Sequence, residues 1–212
     1  MRTRLETALA ATAAVAALTV AGCSAPDVDG SAAGGDDSVT LSADYPVYDS
    51  LEAAGDEADA VVRGVYISSE VDLLYPIVDA GGDAETNPQD GVDVSQEDLD
   101  EMAVVITVSR VEVTEVLKGD LQVGDVIEVS QLGGRYDDVQ YDEESTTLLE
   151  QVAATEVVVL LNDTGAGRFD LINPAQGLFE VEGDSVTAVE PDSGLGDVDT
   201  LDAIRELVAE PS

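Results

Sequence analysis

Fifteen consecutive residues, Ala103 to Leu117, carry more valine than any other stretch of the chain and limit what it can fold into. Val104, Ile106 and Val108 share one parity, and Val111 and Val113 share the other. Alternating side chains point to opposite faces of a strand, so a straight strand cannot keep both sets on one side. A β-bulge near Ser109 and Arg110 restores the alignment, and bulges in long strands let a small sheet bend toward closure. A long, bent, central strand therefore predicts a mainly β chain.

The neighbouring segments agree. Ser50 suits an N-cap, and Leu51 to Ala54 with the acids up to Asp59 predict a short helix, weakened by Gly55. Ala60 to Ser68 has the β-branched and aromatic content of a strand. Residues 69–102 hold Pro76, Gly81-Gly82, Pro88 and Gly91 among many acids and predict a long excursion, with a turn of helix at Glu97 to Met102. Lys118-Gly119-Asp120 and Gly124-Asp125 bound a turn before a strand from Val126 to Leu132. An acidic loop over 133–144 and a helical piece from Ser145 to Ala154 lead to Glu156–Leu161, an apolar run without alternation that predicts a strand covered on both faces. Arg168 to Ile172, Gly177 to Glu182 and Ser185 to Val189 predict three short strands. Asp199 or Thr200 caps a final helix through Glu210, with Leu201, Ile204, Leu207 and Val208 on one face and Pro211 as its stop.

Upstream of this domain, Arg2 and Arg4 precede an apolar run from Ala8 to Val20 that closes on small residues, the layout of a secretory signal. Thirteen residues rise roughly 20 Å as a helix, short of the roughly 30 Å hydrocarbon core. Val20-Ala21-Gly22-Cys23 resembles the lipobox of bacterial lipoproteins, in which the cysteine sulfur receives a diacylglyceryl group and cleavage leaves that cysteine first. The resemblance implies cleavage after Gly22, lipidation of Cys23 and anchoring to the membrane, since two acyl chains hold where one is marginal. The expected organisation is a signal peptide over 1–22, lipidated Cys23 with a flexible tether over 23–44, and a domain over 45–212. The tether expectation rests on Ser, Ala, Gly and Asp without apolar period.

Charge narrows the partners. The chain has 46 acids and 8 bases, and removing residues 1–22 takes away Glu6, Arg2 and Arg4, leaving 45 and 6. Nucleic-acid binding is not expected of such a chain, because no basic patch exists to release phosphate counterions. Docking on anionic lipid is disfavoured for the same reason. A self-repelling solvated surface is the simple expectation, with divalent cations or an extracytoplasmic protein of basic surface as the functional one. Cys23 is the only cysteine, so no disulfide staples the domain.

The order Ala58-Asp59-Ala60-Val61-Val62-Arg63-Gly64, Val113 to Gly119, Gly124 to Ile127 and Val157 to Leu161 resembles the netrin and metalloproteinase-inhibitor module over roughly residues 50–182. That resemblance implies a small closed or partly open OB-like β-barrel with a short helix before the first strand and a C-terminal helix. In the inhibitors a free N-terminal cysteine chelates zinc and disulfides hold the binding edge. Here the single cysteine is expected to be acylated and distant, so inhibition is not carried over.

Three constellations bear on chemistry. Asn162-Asp163-Thr164-Gly165-Ala166 follows an apolar strand and resembles the catalytic turn of aspartic proteases, where two carboxylates share a proton. The competing reading makes it a hairpin turn, for which Asn, Asp and Gly are suited. Asp90-Gly91 and Glu97 match three positions of an EF-hand loop, but Thr86 and Pro88 stand where ligands belong. Looser Ca²⁺ binding among Asp83, Glu85, Asp90, Asp93, Glu97 and Asp98 needs no fixed motif. The absence of histidine excludes a Ser-His-Asp triad and histidine-based zinc sites. No catalytic set is expected, and a binding or structural lipoprotein on the extracytoplasmic face is the leading expectation. A calcium-dependent adhesion or sensing module and an aspartate hydrolase using Asp163 are the alternatives.

Overall fold

A computed structural model of the chain describes residues 37–78, 85, 87, 91, 93–195 and 198–209. Strand β1 (Ser38–Leu41) comes first, followed by helix α1 (Leu51–Glu57) and the long strand β2 (Ala60–Leu74). Helix α2 (Gln96–Met102) precedes the equally long β3 (Val104–Lys118), and β4 (Val126–Leu132), β5 (Gly134–Tyr136) and β6 (Val139–Glu143) follow. A single 3₁₀ turn, Leu149–Gln151, leads to β7 (Glu156–Asp163), β8 (Phe169–Leu171), β9 (Leu178–Glu182), β10 (Ser185–Ala188) and α3 (Leu201–Ala209).

The fold is mainly β, as predicted, with a short helix ahead of the first long strand and a helix at the C-terminal end. Strands β7, β2, β3, β4 and β8 are hydrogen-bonded in that order, and β8 pairs again with β7 to complete a ring. Strands β9 and β10 extend the sheet beyond β7, while β1, β6 and β5 form a separate small sheet.

Two apolar layers follow from strand alternation. Ala60 and Val62 of β2, Val111 and Val113 of β3, Ile127 and Val129 of β4, Leu171 of β8 and Val157, Val159 and Leu161 of β7 share one buried cluster. All five ring strands thus contribute to a common interior. The intervening residues Val61, Val158 and Leu160 turn to the other face, where they pack with Phe179 of β9 and with Leu51, Ala54, Leu201 and Ile204 of the helices. Strand β7 is covered on both faces, as its unbroken apolar run requires. Gly55, a poor helix former, lies against α3: a Cβ there would stand 2.9 Å from Val208 Cγ1.

The bend arises differently from the expected bulge. Strand β3 keeps unbroken register with β4 from Ile106↔Leu132 to Glu112↔Val126, straight through Ser109 and Arg110. The irregularities fall on the β2 side, with Ile67 as the extra residue between Tyr66↔Val111 and Ser68↔Arg110. Two further shifts leave Thr114 and Leu117 of β3 without direct partners on β2. The parity change needs no extra residue of β3 at Ser109 and Arg110, because Val105 to Ser109 are all buried and both faces of that half are covered.

Four boundaries also differ from expectation. Strand β2 runs to Leu74 rather than ending at Ser68, because Ser69–Leu74 pair with β3 as far as Val104. The 133–144 segment is largely a hairpin, with Asp137 and Asp138 both at positive φ in its two-residue turn. The helical piece over 145–154 shrinks to the 3₁₀ turn. Ser38–Leu41, placed by sequence within the tether, form a strand that pairs in parallel with β6.

Candidate functional site

The candidate site is a solvent-open cavity of about 420 Å³ bordered by β4, β7, β8, the ends of β2 and β3, and the segment after β1. Strand register places its polar and apolar walls. Asn162 of β7 is the partner of Asp170 of β8, which is in turn the partner of Ser130 of β4, so these three lie in one row. Ser130 Oγ donates to Asp170 Oδ1 at 2.7 Å. Beside this row, Leu132 of β4 is the partner of Ile106 of β3, and Leu74 at the end of β2 continues the apolar side. Leu171, Ile172 and Pro174 complete it.

Tyr45 and Pro46 border the cavity from the connection between β1 and α1, and two buried amides hold that connection in place. Asn173 Nδ2 donates to the Pro46 carbonyl at 2.8 Å, while its Oδ1 accepts from the backbone N–H groups of Ala175 and Gln176. Gln176 Oε1 accepts from Tyr48 N–H at 2.9 Å, and its Nε2 donates to the carbonyls of Tyr48 and Ser193. Both amides are satisfied, so a substitution that removes either leaves buried partners unpaired.

Electrostatics at the cavity has one sign. Burial lifts the Tyr45 phenol above its ordinary range, the Glu143 and Asp170 carboxylates add to the rise, and a hydrogen bond from Thr146 opposes it. Tyr45 therefore stays neutral at physiological pH, facing two acids. Glu143 is buried, and its Oε2 accepts from Ser145 N–H, Ser145 Oγ and Thr146 Oγ1. Among the described residues that line the cavity there is no lysine or arginine. Arg168, two residues before Asp170, is engaged by Asp72 at 3.0 Å and by Glu128 at 3.8 Å.

The residues singled out from sequence lie elsewhere. Cys23, Asp83 and Asp90 fall outside the described residues. Glu85 sits in a turn and is exposed, as are Asp93, Glu97 and Asp98. Asp98 serves the helix: its carboxylate accepts from Ser95 N–H and Ser95 Oγ, while Ser95 Oγ accepts from Asp98 N–H. These bonds hold the Asp98 carboxyl below its usual range. Among the described residues no three acidic side chains converge as a metal-binding group.

Asp163 is the last residue of β7, at the mouth of the turn to β8, and the register Leu161↔Leu171 to Asp163↔Phe169 makes the segment a hairpin. Its Oδ1 accepts from Gly165 N–H at 2.8 Å, and its own N–H donates to Asp59 Oδ2 at 2.8 Å. Asp59, Asp120 and Asp163 border a second surface hollow, of about 540 Å³. The residues of the first cavity carry no local motif, since register alone brings Asn162, Asp170 and Ser130 into a row. Only the alternation of β4, which turns Ser130 and Leu132 to the same side, was available in the sequence as a pointer.

Neither the family models nor the curated proteins compared with the chain include a match.

Proposed function

We propose that this chain is a lipoprotein of the extracytoplasmic face of the membrane, anchored through Cys23, whose domain binds a small ligand in the cavity beside β4 and β8. The observation that carries the binding role is the cavity: its volume lies in the range of roughly 300–1,000 Å³ usual for ligand sites, with apolar walls and a few convergent polar groups. The anchoring role rests on Val20-Ala21-Gly22-Cys23 after a short apolar segment. Intact-mass measurement of protein extracted from membranes tests the anchor. The expected species begins at Cys23 and carries a diacylglyceryl group, and Cys23→Ala moves the protein to the soluble fraction. A mature form that starts at another residue and carries no lipid would overturn the anchor.

A further inference from the structure

We propose that the ligand of this cavity is a small organic ammonium ion with an apolar body, its charged end at Asp170 and its body against Leu74, Ile106 and Leu132. The inference rests on the cavity being a ligand site and names the class of ligand that fits it. Among the described residues only Oδ1 of Asp170 is engaged, by Ser130, which leaves Oδ2 for a donor that enters from the cavity. Asp170 is exposed at the open side, and covering its carboxylate with a neutral apolar molecule would strip water from a charge without replacing it. An ammonium group supplies both the donor and the opposite charge. Tyr45, on the cavity border, offers an aromatic ring, and ring faces attract cations.

The alternatives fit less well. An anionic ligand would meet no base among the described lining residues, and the nearby Arg168 is already held between Asp72 and Glu128. Among the described lining residues a bare metal ion would find one carboxylate beside hydroxyls and two amides, and it would leave the apolar wall of Leu74, Ile106 and Leu132 without a role.

Calorimetric titration of the full chain carrying Cys23→Ala, which has no thiol to lipidate, separates these cases with three probes of one chain length: n-octylammonium chloride, 1-octanol and sodium octanoate at neutral pH. The ammonium is expected to bind about tenfold more tightly than the alcohol, and the carboxylate more weakly than either. Asp170→Asn should bring the ammonium down to the alcohol's affinity, whereas the general pull of an acidic protein on cations survives the loss of one charge. Leu132→Trp should weaken all three probes. If that variant does not fold, as judged by melting, Leu74→Trp at the half-exposed rim does the same work. Equal binding of ammonium and alcohol would leave the ligand site standing and overturn the ammonium class, as would a preference that persists in Asp170→Asn. Failure of every probe to bind would remove the ligand site itself.

Discussion

Gly64 stands where β2 meets β3 at a register shift, and its missing side chain is what allows the approach. A Cβ at this position would collide with Val111 Cγ1 and lie 2.9 Å from the Glu112 carbonyl oxygen. The backbone cannot retreat without disturbing both ladders of β2, so Gly64→Ala is expected to destabilise the domain by about 2 kcal/mol, measured by chemical denaturation. An unchanged midpoint would mean that the two strands separate there at little expense. At Asp163 the opposite outcome is expected. Asparagine keeps the acceptor that closes the turn on Gly165 N–H, so Asp163→Asn should change stability by less than about 0.5 kcal/mol. A large loss would show that the charge itself serves the fold.

Helix α3 shows how an element is held by both apolar and ionic contacts. Leu201 and Ile204 are buried against the outer layer, while Arg205 reaches β3 and donates from Nε and Nη2 to the two oxygens of Glu115, each at 2.7 Å. The Arg205 hydrogen bond holds the Glu115 carboxyl below its ordinary value of 4.5. Because the folded-state value is depressed, the pair stabilises above the ordinary value, and its contribution is lost as pH falls through the lower, folded-state one. Glu115→Gln should thus lower Tm by roughly 2 °C near pH 7 and leave it unchanged at the acid end, where the wild type is protonated too. A pH-independent difference would assign the effect to packing. The helix was legible in sequence because its apolar face repeats at helical spacing and Thr200 caps it, with Oγ1 accepting from Ala203 N–H at 3.3 Å. The hairpin of β5 and β6 was not, since Asp137-Asp138 looks like solvated acid until their positive φ values make them a turn. The far half of β2 was hidden for a related reason: Ser69, Glu70 and Asp72 give no apolar alternation, yet strand pairing with β3 carries them. Ser69 Oγ and Ser109 Oγ lie 2.8 Å apart across that pairing, a partly buried polar contact that hydrophobic patterning cannot reveal.

At the scale of the molecule, six bases follow the expected cleavage site against 45 acids, and at least four of the six are committed to the fold. Arg63 pairs with Glu156, Arg168 with Asp72, and Arg205 with Glu115, while Lys118 Nζ donates to the carbonyls of Gly55 and Asp56 at the end of α1. The remaining acids repel one another across a surface with little compensation. Raising NaCl from about 10 mM to about 500 mM shortens the Debye length from about 30 Å to a few ångströms and is expected to raise Tm by several degrees. Screening of this kind is shared by calcium at equal ionic strength, so a further rise specific to calcium would be the signature of a site among Asp83, Glu85, Asp90, Asp93, Glu97 and Asp98. The placement of Tyr45 and Pro46 has a mechanical consequence. They follow β1 after Ser42, Ala43 and Asp44, and β1 is joined to β6 by four register pairs. A pull applied to the chain ahead of residue 37 loads that short ladder first, and once it yields, the next segment under tension is the cavity wall itself. The domain therefore has a fuse in series with the cavity, and the grip of Asn173 and Gln176 on the connection sets how far a tug can travel before the cavity loses its shape.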